Sequence, residues 1–67
     1  MKEKEMRAAM ARAGVSNKFM AEKLGLSSTA FYNKLTGRSE FKNSEIKIIA
    51  KTLSLSASEL EAIFFEA

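Results

Sequence analysis

Residues 24–41 read LGLSSTAFYNKLTGRSEF, and the fold turns on how this stretch is parsed. Leu24 closes one helical run, and Ser27 is a residue type that caps the start of the next. Only Gly25, Leu26 and Ser27 separate the two runs. A connection that short forces two helices to cross steeply, as in a helix-turn-helix unit. Met20, Leu24, Leu26, Phe31 and Leu35 are the apolar residues that lock the crossing, and Ala21 is small where the helices approach most closely.

The third helix is expected from Ser28 to about Thr36. At about 100° per residue, Ser28, Thr29, Tyr32, Asn33 and Thr36 fall within an arc of about 140°. That arc is polar and uncharged, and Phe31 points away from it. Any soluble helix has a polar face, but one shaped only by water would favour Glu and Lys, which are better helix formers than Ser, Thr and Asn. Hydroxyls and amides hydrogen-bond base edges, asparagine pairs with adenine N6 and N7, and a helix fits the major groove. Ser28, Thr29, Tyr32 and Asn33 are therefore candidate base-contacting residues.

Working outward, a first helix is expected over Lys2–Ala13, with Met6, Ala9, Met10 and Ala13 as its inward stripe. Ser16 caps a second helix through Lys23, with Met20, Ala21 and Leu24 inward. Asn43 caps a fourth to Leu53, with Ile46, Ile49, Ala50 and Leu53 inward. "SASE" at 56–59 is a capping box, opening a fifth helix that runs to the chain end through Leu60, Ile63, Phe64 and Phe65. Gly14, Gly25 and Gly37 each follow a helix-like run. No segment alternates with period two for long enough to compete as a strand. The fold class expected is all-α: one compact five-helix domain over residues 1–67.

The 67 residues are near the lower limit for a chain that buries its own core, so packed apolar side chains must supply the stability, to which a partner subunit could add. Cysteine and histidine are absent, which removes disulfides, thiolate metal sites and the commonest general base and zinc ligand. No metal and no cofactor is expected. There is no histidine, cysteine or glycine-rich phosphate loop from which to build an enzyme site, and Glu40 and Glu45 are ordinary carboxylates. No apolar run reaches the roughly 18 residues of a membrane span and no signal peptide is visible, so a soluble, intracellular protein is expected.

Net charge is +3, unevenly spread. Residues 1–38 hold eight Lys or Arg against three Glu, whereas residues 39–67 hold three Lys against five Glu. A basic half suits a polyanion, although the same charge is also what ordinary solvated surface carries.

VSNKFMAEKLGLSSTAFYNKLTGRSEF, residues 15–41, resembles the helix-turn-helix of the phage-repressor superfamily, the lambda repressor, Cro and Xre-like group. The matching positions are Asn17 after the Ser16 cap, the Met20-Ala21 pair, Gly25-Leu26-Ser27, and Gly37. SEIKIIAKTLSLSASELEAIFF, residues 44–65, resembles the closing helices of the family. Taken together, the chain looks most like a small repressor of phages and prophages of low-GC Gram-positive bacteria.

The resemblance implies a compact lambda-repressor-like domain that binds a double-stranded DNA operator. It implies that Asn17 holds a phosphate, that Ser28, Thr29, Tyr32 and Asn33 read base edges, and that Thr36, Arg38, Lys42 and Asn43 hold the backbone. Lys18 either adds an electrostatic phosphate contact or is an ordinary solvated lysine. The chain departs from the family pattern at Asn17, where glutamine is more usual, and at Phe19, where the family is polar. It departs again at Lys34, where an apolar or aromatic residue is common. Lys34 falls nearly opposite the polar face, so its stem is expected along the core with the ammonium at the edge, toward a phosphate.

Ile63, Phe64 and Phe65 end the fifth helix with more apolar surface than one small core covers on one side. They are the candidate interface of a symmetric homodimer, which would set two recognition helices about 34 Å apart on a near-palindromic site. An alternative is that Phe65 is merely exposed. The leading expectation is a sequence-specific transcriptional regulator of repressor type. The competing one, from a different class, is a helical protein-interaction module, antitoxin-like or adaptor, acting through the acidic C-terminal half.

Overall fold

Runs of good helix formers broken by capping residues fold as separate short helices. A computed structural model, which describes residues 1–65, contains five of them. They are α1 Glu3–Ala13, α2 Asn17–Leu24, α3 Ser28–Leu35, α4 Asn43–Leu53 and α5 Ala57–Phe64. Among the described residues there is no strand. The final residues expected to continue α5, 66–67, lie outside the described part.

The starts follow the hydroxyl caps. Ser16, Ser27 and Ser56 accept from the N–H of Phe19, Ala30 and Glu59 at 3.1, 3.0 and 3.1 Å, each satisfying an otherwise orphaned donor. At α5 the box is complete, because Glu59 Oε1 accepts from the Ser56 N–H at 2.9 Å. The fourth helix corrects the expectation. Asn43 is its first helical residue and Lys42 occupies the cap position. The lysine side chain has no acceptor to offer, so the end is closed from the other direction, by Glu45 Oε1 accepting the Lys42 N–H at 2.8 Å.

The stops are backbone devices. Gly14 and Gly25 adopt the left-handed conformation at φ 68°, followed by closing bonds five residues back, from Val15 N–H to Met10 O and from Leu26 N–H to Ala21 O, both 2.9 Å. The same closure ends α4, yet the left-handed residue there is Ser54, at φ 53°. Nothing in the serine side chain signals this role.

All five helices feed one core. Met6, Ala9 and Met10 of α1 meet Met20 and Ala21 of α2, Phe31 and Leu35 of α3, Ile49 and Leu53 of α4, and Ile63 of α5. Ala13, expected on the inward stripe of α1, is exposed. Leu24, Leu60, Phe64 and Ala50 are only partly buried. Complete burial of Phe31 contributes about 1.5–3 kcal/mol. Its ring meets Phe41 of the α3–α4 loop at 5.9 Å, and Phe41 meets Phe64 edge-on at 6.0 Å. This aromatic row carries the core from α3 out to the end of α5.

The ends of the chain are drawn together. The Lys2 N–H donates to the Ile63 carbonyl at 2.8 Å, and Arg12 reaches Glu59 across α1 and α5 at 3.4 Å. Among the described residues, no helix is long and apolar enough to cross a membrane.

Candidate nucleic-acid interface

The core fixes which face of α3 is presented. Phe31 and Leu35 are fully buried, so the opposite side of a helix only eight residues long must turn outward. Ser28, Thr29 and Tyr32 are exposed, Tyr32 by 51%, while Asn33 and Thr36 are partly buried. The polar arc of α3 is therefore accessible along its first two turns.

Its far end is narrower than expected. The Thr36 hydroxyl donates to the Tyr32 carbonyl at 2.9 Å and lies 3.4 Å from the Asn33 carbonyl, and the Thr36 N–H also donates to Tyr32 O. A phosphate only accepts, and a threonine has one hydroxyl hydrogen to give. In this conformation Thr36 closes the helix and has no hydrogen left for a backbone contact.

Two segments next to α3 in the chain carry the remaining polar candidates. Asn17 and Lys18 are exposed in the first turn of α2, which the three-residue turn ties to α3. The α3–α4 loop carries Arg38 and Lys42, and Asn43 opens α4, all exposed. The near half of the loop is bound to the arc, since the N–H groups of Arg38 and Ser39 donate to the Asn33 carbonyl at 2.8 and 3.3 Å. Gly37, at φ 87°, makes this reversal possible.

Lys34 does not reach outward. Its ammonium donates to Glu45 Oε1 and to the Glu40 carbonyl, both at 3.0 Å, and lies 6.0 Å from the centre of the Phe41 ring. The expectation that it leans toward a phosphate is corrected: the inward angle of its position on α3 delivers it to a carboxylate inside the protein. Burial alone would push the Glu45 carboxyl up. The Lys42 N–H and the Lys34 ammonium outweigh it, holding Glu45 below the ordinary value of 4.5. This pair is the element of the site that the sequence concealed. The inward position of Lys34 was a signal, but its partner lies eleven residues on, across a loop.

The remaining candidates lie elsewhere. Ile63 is 3% exposed and belongs to the core, so it offers no surface to a second copy. Phe65 is 62% exposed and Phe64 partly buried. They border a groove of about 450 Å³, lined also by Phe41, Ile46 and Met1. Phe19 is 44% exposed on α2, with the Lys23 ammonium 5.5 Å from its ring centre. Among the described residues, no group of three or more His, Cys, Asp or Glu is placed to hold a metal ion. The chain matches no protein-family model, no curated protein and no solved structure.

Proposed function

We propose that the chain is a sequence-specific DNA-binding transcriptional regulator of repressor type, working in the bacterial cytoplasm. The observation that carries this is the outward arc of α3. A short helix anchored from behind by Phe31 and Leu35 presents Ser28, Thr29 and Tyr32 to solvent, with Asn33 partly buried beside them. Groups that donate and accept hydrogen bonds, without charge, distinguish base edges in the major groove. Arg38 and Lys42 of the α3–α4 loop and Asn17 and Lys18 of α2, all exposed, would supply the polar and cationic contacts that a phosphate backbone needs.

Two copies acting together fit a near-palindromic operator. Phe65, with the edge of Phe64, is the apolar surface through which the copies would pair, now without Ile63. Such pairing would also add stability to a small core.

Selection of binding sites from a random duplex pool, followed by titration of the selected duplex across salt, tests the function. The expected outcome is an enriched near-palindrome with half-sites about ten base pairs apart and affinity that falls steeply with salt. Weak binding of all sequences alike would remove the DNA-reading function and favour a protein-interaction module.

A further inference from the structure

We propose that Lys34 and Glu45 form a positioning pair that holds the α3–α4 loop, with Lys42 at its far end and Asn43 opening α4, in register with the outward arc of α3. The proposal rests on the DNA-reading function above and names what keeps that site in shape.

The pair sits where three parts of the site converge. Lys34 belongs to α3 and Glu45 to the first turn of α4, and their side chains are only 13% and 10% exposed. The Lys34 ammonium bonds Glu45 Oε1 and the Glu40 carbonyl, each at 3.0 Å. The same Oε1 accepts the Lys42 N–H at 2.8 Å. One nitrogen and one oxygen thus join α3, the middle of the loop, its far end and the start of α4.

The loop is held in two halves. The first is bound by backbone alone, through Arg38 and Ser39 on the Asn33 carbonyl. Among the described residues, the hydrogen bond from α3 to the second half, residues 40–42, comes from the Lys34 ammonium. Without it, the second half keeps the packing of Phe41 but loses its polar tie to the reading helix.

A nearly dehydrated ion pair is a poor source of stability, because an apolar pair of similar volume does as well or better. What the pair supplies is direction: an ammonium has few acceptable geometries once two oxygens claim it. The same engagement removes Lys34 from the charge available to DNA. Its effect on binding is geometric: Lys42 keeps its charge and, in a non-specific complex where no register is fixed, still reaches a phosphate, so counterion release on a random-sequence duplex is unchanged.

That difference is measurable with the full chain, the selected duplex and a random-sequence duplex of equal length. In Lys34→Met/Glu45→Gln no buried charge is left unpaired, and the introduced amide oxygen retains an acceptor for the Lys42 N–H. This variant is expected to keep its helical circular dichroism and bind the selected duplex about tenfold more weakly. Its random-sequence affinity and salt slope are expected to match wild type. Should the double variant fail to fold, Lys34→Arg, which keeps the cation but alters its reach, must show the same split. A loss shared equally by both duplexes, with the salt slope shallower by about 0.9, would make Lys34 a phosphate ligand and overturn the proposal. Wild-type affinity in a folded double variant would overturn it too, reducing the pair to a structural one. If wild type itself prefers no sequence, the DNA-reading function fails and this role goes with it, a result read before any variant is made.

Discussion

At the scale of single residues, side chains on one short helix are assigned opposite tasks. Phe31 and Asn33 are two positions apart in α3, yet one is sealed in the core and the other borders the outward arc. Substitutions should separate these tasks. If α3 reads base edges as proposed, Thr29→Ala and Asn33→Ala are expected to weaken binding to the selected duplex by about 1–3 kcal/mol each, with melting unchanged, because each removes a hydrogen-bonding group from the polar arc and leaves the core intact. Arg38→Ala is expected to weaken binding to every sequence alike and to make the salt slope shallower by about one unit. Titration of both duplexes at several salt concentrations distinguishes the two patterns. Equal loss on all sequences from Asn33→Ala would move that residue from base contact to backbone contact.

At the scale of the element, helix ends hold the structure's unevenness. Ser54 closes α4 in a conformation that costs a residue with a Cβ roughly 1–2 kcal/mol relative to glycine. Ser54→Gly is expected to stabilise the protein by about 0.5–1 kcal/mol, since part of that gain is offset by the greater freedom of glycine in the unfolded chain. Chemical denaturation midpoints would register it, and a lower midpoint would mean that the serine side chain holds the turn. The starts of α4 and α5 share another property. Glu45 is held below its ordinary pKa by the groups already described. Glu59 is lowered chiefly by the Ser56 N–H, then by the Ser56 hydroxyl, with Arg12 adding to the effect against some desolvation. A depressed carboxyl means that the unfolded chain binds protons first as pH falls. The stability from both groups is therefore complete above about 4.5 and is lost as pH drops through their lower folded values. Melting temperature should fall along that acid limb, and Glu45→Gln with Glu59→Gln should flatten it. A limb of unchanged slope in that variant would assign acid sensitivity to other carboxylates.

At the scale of the whole molecule, a core drawing on five short helices leaves one large aromatic surface uncovered at the end of α5. Phe65 is the most exposed large apolar side chain among the described residues, and it borders the groove with Phe64 and Phe41. If copies pair there, Phe65→Glu is expected to give a monomer in sedimentation at tens of micromolar where wild type is a dimer. Operator affinity should then fall steeply as the two half-sites are engaged separately. Identical sedimentation of variant and wild type would place the contact elsewhere.

Most of the architecture could be read along the chain, because it depends on local chemistry. Serines at 16, 27 and 56 and glycines at 14 and 25 are local signals, and each produced the helix start or stop expected of it, while the apolar spacings placed most of each inward stripe, Ala13 excepted. The outward arc of α3 was equally legible, since a helical period orders side chains without reference to anything distant. What lay hidden depends on groups far apart in sequence or on backbone angles that no side chain announces. Ser54 closes a helix without a glycine. Lys42 stands at a cap that Glu45 satisfies from within. Ile63 faces inward while its neighbour Phe65 faces out. Lys34 turns from the solvent to a carboxylate across the loop. By itself the sequence determined the helices, their order and the polar face of α3, since periodicity and capping act within a few residues. Only the tertiary structure decided where Lys34 is engaged and which aromatic is left uncovered, because burial and ion pairing depend on what the rest of the chain brings alongside.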